Sequence, residues 1–331
     1  MKHTLQILLA VIAGTAVFTA SPLPGYAREN LTAQQQMELQ VRQGWEFFGK
    51  GLYPKAIAAF DTVLATDPAN TSALKLRGLS YSFEKKYDAA IADYTTVLGI
   101  YNNGTTSVDG QGIYYDRALA YMELQQYDAA IADLTKALTY PSVMKPLYLE
   151  RGNAYAAQKN YAQALADYGK QIDLFPDTAA AYEKRSALYR LDACKDEAAA
   201  LRDYTSLIAL QPDNALAYIH RYKTYIDLGN YDAALTDINT LLARNKKDTA
   251  LYIDRGQVYA TLNRTSDALA DFTQAISLNN KAINAYRQRG KLYERMGNDK
   301  LAAKDTAKAA KLTIEEQKAI AAYQKKKKAR Q

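Results

Sequence analysis

The side chains best suited to catalysis or metal binding are few: two histidines, His3 and His220, and one cysteine, Cys194, in 331 residues. A nucleophile–base pair of Cys194 and His220 would need a third group to orient the imidazole, and no motif supplies one. These three residues cannot build a cysteine/histidine zinc site or a disulfide framework within one chain. There is no glycine-rich phosphate loop, no serine nucleophile motif and no acidic loop with calcium spacing. Carboxylates are plentiful, yet they recur at a fixed interval. YDAAIADYTTVL, Tyr87 to Leu98, returns as YDAAIADLTKAL, Tyr127 to Leu138, and in looser form as YDAALTDINTLL, Tyr231 to Leu242. A catalytic constellation is normally written once and an architectural unit many times. The expectation is a non-enzymatic chain with no catalytic residues, metal or cofactor.

The interval is 34 residues, and eight units begin near Met37, Thr71, Gln111, Lys145, Ala179, Ala215, Thr249 and Ile283. A turn-rich insertion falls near 102–112, and the fifth unit carries two extra residues in its central turn. Within each unit, apolar and small residues follow a helical spacing broken once in the middle and once at the end, which predicts two short antiparallel helices. Pro54 suits a helix start, Asp88, Asp128 and Asp232 suit first turns, and Pro68, Pro176 and Pro212 stop the second helices.

Position 20 of every unit is alanine: Ala56, Ala90, Ala130, Ala164, Ala200, Ala234, Ala268 and Ala302. Position 8 is usually small, as in Gly44, Gly78, Ala118, Gly152, Ser186, Gly256 and Gly290, with Tyr222 as the exception. Position 11 is aromatic throughout, from Phe47 and Tyr81 to Tyr259 and Tyr293. This pattern resembles the tetratricopeptide repeat (TPR) family over nearly the whole chain beyond its N-terminus. The resemblance implies an all-α fold, a right-handed superhelical solenoid of helix pairs over 37–312. A lead-in at 28–36 would precede it. A capping helix at 313–324, announced by Thr313 and Glu316 at capping-box spacing, would close it, followed by a basic tail at 325–331.

Seven units place arginine at position 7 and aspartate at position 23, from Arg77 and Asp93 to Arg289 and Asp305; the first unit has Gln43 and Ala59 and lacks both. Joint loss predicts that the two side chains pair, within a unit or with its neighbour, as a structural ladder. Most of the 27 tyrosines fall at positions 4, 11, 17 and 24, which predicts core.

The first 27 residues place Lys2 before an apolar run from Leu5 to Ala20, then Pro22, Pro24, Gly25 and Ala27. That layout predicts a signal peptide cleaved after Ala27 and export to a periplasm or the exterior, the alternative being an uncleaved anchor. Five of the seven formal positive charges match Lys325, Lys326, Lys327, Lys328 and Arg330, so the body is nearly neutral and nucleic acid is not an expected partner. The tail suits weak contact with an anionic membrane surface, the basis of an alternative reading as an envelope-associated adaptor.

In the TPR pattern, positions 5, 9, 12 and 13 of each first helix face a concave groove. Here they include Val41, Trp45, Phe48, Leu79, Phe83, Tyr115, Leu119 and Met122. Further along they read Asn153, Ala156, Glu183, Arg190, Lys223, Gln257, Arg287 and Lys291, grading toward polar and basic. The implied function is a scaffold for protein–protein interaction, and the expected partner is a protein or peptide segment with apolar anchors. The competing expectation is that the lead-in and the long first helix fold over Trp45 and Phe48 as a cap. The heat-shock carboxylate clamp of the family is not matched, since Val41 and Trp45 stand where lysine and asparagine are required.

Overall fold

The computed structural model describes residues 32–102 and 110–328. The expected signal peptide with its cleavage point, most of the insertion and the end of the basic tail lie outside the described residues. Among the described residues the regular elements are helices: α1 Ala33–Gly49, α2 Tyr53–Thr66, α3 Thr71–Phe83, α4 Tyr87–Asn102 and α5 Gly110–Glu123, then α6 Tyr127–Ala137, α7 Leu147–Ala157, α8 Tyr161–Leu174, α9 Ala179–Tyr189 and α10 Glu197–Leu210. The series continues with α11 Ala215–Asp227, α12 Tyr231–Arg244, α13 Thr249–Thr261, α14 Thr265–Leu278, α15 Ile283–Arg295 and α16 Asp299–Lys328. One 3-10 turn, Asp192–Cys194, accommodates the two extra residues of the fifth repeat. The chain forms two compact units that divide after Leu124, and within each unit sequential helices pack on one another.

Helix starts follow local chemistry. The side chains of Asn70, Asp196, Asn214, Asn230 and Asp248 each accept a backbone N–H three residues on, satisfying donors that the first turn leaves open. α2, α8 and α10 stop two residues before Pro68, Pro176 and Pro212, because the residue before a proline is driven out of helical geometry. The turn inside a repeat is left-handed at position 15: Gly51, Gly229 and Gly297 adopt it freely, while Lys85, Gln125, Lys159 and Asn263 adopt it with a Cβ.

Helix pairs approach closely because a small residue meets a large one. A Cβ on Gly44 would stand 2.5 Å from the Phe60 ring, and on Gly78, Gly152 and Gly256 it would stand 2.7 Å from the rings of Tyr94, Tyr168 and Phe272. Position 8 thus makes room for the aromatic residue at position 24. The sixth repeat reverses the exchange: Tyr222 fills position 8 and Ile238 replaces the ring at position 24, both buried, with the Tyr222 hydroxyl donating to Asp254 Oδ2 at 2.6 Å. The irregular tyrosine therefore leaves no packing defect. Alanine at position 20 is fully buried in the first seven repeats, whereas Ala302 in the last is partly exposed.

At Gly290 the opposing residue is Thr306, and an added Cβ would meet only ordinary contacts at 3.4 Å. Gly290→Ala should therefore raise stability by about 0.4–1 kcal/mol by removing freedom from the unfolded chain. Gly78→Ala should lower stability, since overpacking of ~1 to 3 kcal/mol outweighs the ~1 kcal/mol gain in helix propensity. Denaturant midpoints of the two variants, moving in opposite directions, check this.

Of the two expected pairings the arginines and aspartates take the one within a repeat, and the arginine reaches a different residue, at position 25, in the repeat before it. Arg151 holds Asp167 through Nε and Nη2, both at 2.8 Å, and its Nη1 donates to Thr135 of the preceding repeat at 3.1 Å. Arg77, Arg221, Arg255 and Arg289 do the same, binding Asp93, Asp237, Asp271 and Asp305 and reaching back to Asp61, Thr205, Asn239 and Thr273. Each arginine ties the two helices of its repeat to the repeat before it. Arg185 holds Asp203, but Gly169 stands at the preceding position and offers no side chain. Hydrogen bonds to the aspartates push these arginines above their usual range. Tyrosines at positions 4 and 11 flank the guanidinium, as Tyr148 and Tyr155 do at 5.6 and 5.9 Å from Arg151. Tyr114, Tyr182 and Tyr286 at position 4 are buried while the position-11 tyrosines are partly exposed, so the expectation of tyrosine as core holds at position 24, where Tyr94, Tyr168 and Tyr204 are buried, and in part at position 4.

Two boundaries differ from expectation. α1 starts at Ala33, capped by Thr32 and Gln35, so residues 33–36 of the lead-in extend the helix. The expected capping helix at 313–324 is not a separate element, because α16 runs unbroken through it. Residues 299–328 contain neither glycine nor proline, and Thr313 bonds back to the Ala309 carbonyl as an interior residue instead of capping a new helix.

Candidate functional site

All eight expected surface residues lie in the first compact unit. Val41, Trp45 and Phe48 come from α1, Leu79 and Phe83 from α3, and Tyr115, Leu119 and Met122 from α5. These are the first helices of successive repeats, and α3 touches both of the others. The eight are not equally available. Phe48, Leu79 and Tyr115 are buried, at 8%, 6% and 6% exposure, while Val41, Trp45, Phe83, Leu119 and Met122 are half-buried.

The aromatic members support one another. Trp45 meets the Phe48 ring edge-on at 6.0 Å, Phe48 meets Phe83 at 5.7 Å, and Phe83 stacks on Tyr53 at 4.7 Å with the planes 4° apart. Tyr53 belongs to α2 and was assigned to core by its position, yet it completes the cluster. Residues 33–36 continue α1 and Trp45 is half-buried, while residues 28–31 of the expected cap lie outside the described residues. The result is a partly buried set of aromatic rings in mutual contact, drawn from α1, α2 and α3.

Position 6 of the third repeat, on α5, carries Asp116, which sequence reasoning missed. Burial pushes its carboxyl up to about 7, against the pull of Lys75. The folded chain thus keeps a proton that the unfolded chain releases in the ordinary carboxylate range. Asp116 stabilises the fold at low pH, and that contribution is lost as pH rises toward 7.

In the second unit the corresponding positions are polar as expected. Glu183, Arg190, Lys223, Arg287 and Lys291 are exposed, and Asn153 accepts from the buried Tyr168 hydroxyl at 3.0 Å while donating to Glu150 Oε2 at 3.0 Å. His220 lies on α11, where its Nδ1 is 2.7 Å from Arg190 Nη1. Burial, with Arg190 and Lys223 nearby, pushes the imidazole below its usual range. Cys194 sits in the 3-10 turn as a free, partly exposed thiol. Among the described residues no cluster of histidine, cysteine, aspartate or glutamate is placed to hold a metal ion, and no helix is long and apolar enough to cross a membrane.

The sequence profile described as tetratricopeptide repeat matches residues 41–105, 115–191 and 223–283, together more than half of the chain. No curated protein matches. Similar solved structures include a tetratricopeptide repeat protein from Parabacteroides merdae, at 22% identity and TM-score 0.51, covering 78% of this chain and 98% of that one. The C-terminal part of a TPR repeat-containing protein from Cytophaga hutchinsonii gives 18% identity and TM-score 0.62, covering 74% and 97%. PilW, a type IV pilus biogenesis factor, gives 21% identity and TM-score 0.50, covering 63% and 93%. At these identities the structures share a fold with the chain, and the profile match decides the rest: the chain belongs to the tetratricopeptide repeat family.

Proposed function

We propose that this chain is an exported, non-enzymatic scaffold that binds a protein partner through the apolar surface of its first three repeats. The observation that carries the reading is that half-buried Trp45, Phe83, Leu119 and Met122 lie on the first helices of three successive repeats, with Trp45, Phe48 and Phe83 in ring contact. Large apolar side chains held in place by stacking lose little freedom on binding, and Trp is among the residues most often dominant at interfaces. A segment with apolar anchors, such as an amphipathic helix, fits this chemistry.

Trp45 is the sole tryptophan, so its fluorescence reads partner arrival directly. A partner recovered by affinity capture from the native compartment should shift Trp45 emission. Its affinity should fall about 30-fold or more for Trp45→Ala and for Phe83→Ala, with circular dichroism confirming that both variants remain folded. Undiminished binding by both variants refutes the site. A second reading rests on α16, whose end presents Lys325 to Lys328 on an exposed helix. Under that reading the chain is an adaptor tethered to an anionic membrane surface. Loss of membrane retention in a chain lacking residues 325–331, with partner capture intact, would favour it.

A further inference from the structure

Three buried tyrosines occupy position 24, and two of them are satisfied by their own repeat. The Tyr94 hydroxyl is 3.4 Å from Ser82 Oγ, and Tyr168 donates to Asn153. Tyr204, 2% exposed, has a buried hydroxyl whose proton finds no acceptor, the side chains of Ser186 and Arg190 being its polar neighbours. Buried hydroxyls are seldom left so, because the group keeps its desolvation cost and gains nothing in return. The positions that served the other two repeats are filled here by Ala187 and Arg190, and Arg190 engages His220.

A cavity of about 110 Å³ opens at this point, lined among others by Tyr204, Ser186, Arg190, Leu216, His220 and one carboxylate, that of the exposed Glu183. Leu216 is 61% exposed and forms an apolar part of the wall. The His220 ring stacks on Tyr204 at 5.7 Å. Because an arginine can only donate, Nδ1 of His220 accepts and the ring is neutral. The space therefore combines a hydroxyl seeking an acceptor, a guanidinium and a short apolar wall. We propose that it binds a single carboxylate presented by an acidic peptide, from a glutamate side chain or a chain terminus, with Arg190 and the Tyr204 hydroxyl as donors. This site shares no residue with the apolar surface of the first unit, so either can fail alone.

The charges around His220 make binding visible. Arg190 and Glu183 come from α9, Tyr204 from α10, and Lys223 from its own helix. A bound carboxylate offsets Arg190 and Lys223 and draws Arg190 away from Nδ1, and both effects favour the protonated ring. Binding should take up a proton and strengthen as pH falls through the range of the ligated imidazole.

The test follows the His220 Cε1–H resonance, assigned with His220→Gln, against pH. Three probes are used: acetyl-Ala-Ala-Glu-Ala-Ala-amide, its glutamine counterpart, and acetyl-tetra-alanine with a free carboxylate. The glutamate or the terminal-carboxylate peptide should move the titration upward, the responding one identifying the source, while the glutamine peptide does nothing. Tyr204→Phe should weaken binding about tenfold, and Arg190→Gln more than that. The hydroxyl donates no hydrogen bond within the protein, so Tyr204→Phe should keep the fold, as circular dichroism will check, and decides the matter even if Arg190→Gln does not fold. An equal response to glutamate and glutamine, no response up to about 10 mM of either carboxylate peptide, or undiminished binding by Tyr204→Phe overturns the proposal.

Discussion

Arg151→Ala is expected to lower stability by about 3–5 kcal/mol, and Asp167→Ala by about 2–3 kcal/mol, although the two side chains share the same bonds. The difference comes from what each change leaves behind. Asp167 has a side chain 8% exposed, so removing arginine strands a carboxylate where water scarcely reaches. Arg151 is 18% exposed and keeps its bond to Thr135, so after loss of aspartate it can turn toward solvent. The double variant should cost clearly less than the sum, with a coupling of about 1–3 kcal/mol. Urea unfolding of the four proteins measures the cycle; additive losses, or equal losses for the two single changes, would show that the buried pair does not act this way.

Gly256→Phe should be at least as damaging, because the new ring enters space already held by fully buried Phe272. Overpacking of this kind typically costs ~1 to 3 kcal/mol, and a whole ring exceeds that range. Phe272→Ile alone should cost about 1–3 kcal/mol through the cavity it leaves. The two together reproduce the arrangement of Tyr222 with Ile238 one repeat earlier, with phenylalanine used so that no hydroxyl needs an acceptor. The double variant should recover most of the loss, read as a return of the unfolding midpoint and of amide protection in α13 and α14. If it is as unstable as Gly256→Phe, the volumes at positions 8 and 24 are not exchangeable.

Repeat boundaries were the most legible feature. Helices begin at Thr71, Ala179, Ala215, Thr249 and Ile283, where the period places them, and Asn70, Asn214 and Asp248 accept backbone donors at three of those starts. The arginine and aspartate columns were also readable, since a pair lost together in the first repeat is informative. The exchange at Tyr222 was not, because one column in isolation shows an exception and only the facing column shows compensation. Left-handed turns at Lys85, Gln125 and Lys159 carry no glycine to mark them. The spacing of Thr313 and Glu316 suggested a boundary, but nothing in the preceding turn breaks the helix. At the surface, residue type and position identified the right helices. Burial of Phe48, Leu79 and Tyr115 depends on neighbouring repeats, which periodicity within one repeat does not contain.

The reach of each arginine into the preceding repeat bears on how such an array can change its length. Apart from the first repeat, which lacks both charges, and the fourth, whose Gly169 offers no side chain, a repeat brings its own arginine at position 7 and aspartate at position 23 and supplies at position 25 the acceptor for its successor. A tandem duplication of one whole repeat, wherever its endpoints fall within the period, keeps every one of these bonds in register. A deletion of one repeat does so too, unless it brings a new arginine against Gly169. Partial copies put these partners out of register, so selection for stability alone would favour length changes by whole repeats, with smaller insertions confined to turns such as Asp192–Cys194. The near identity of Tyr87–Leu98 and Tyr127–Leu138 is the kind of trace that such copying leaves.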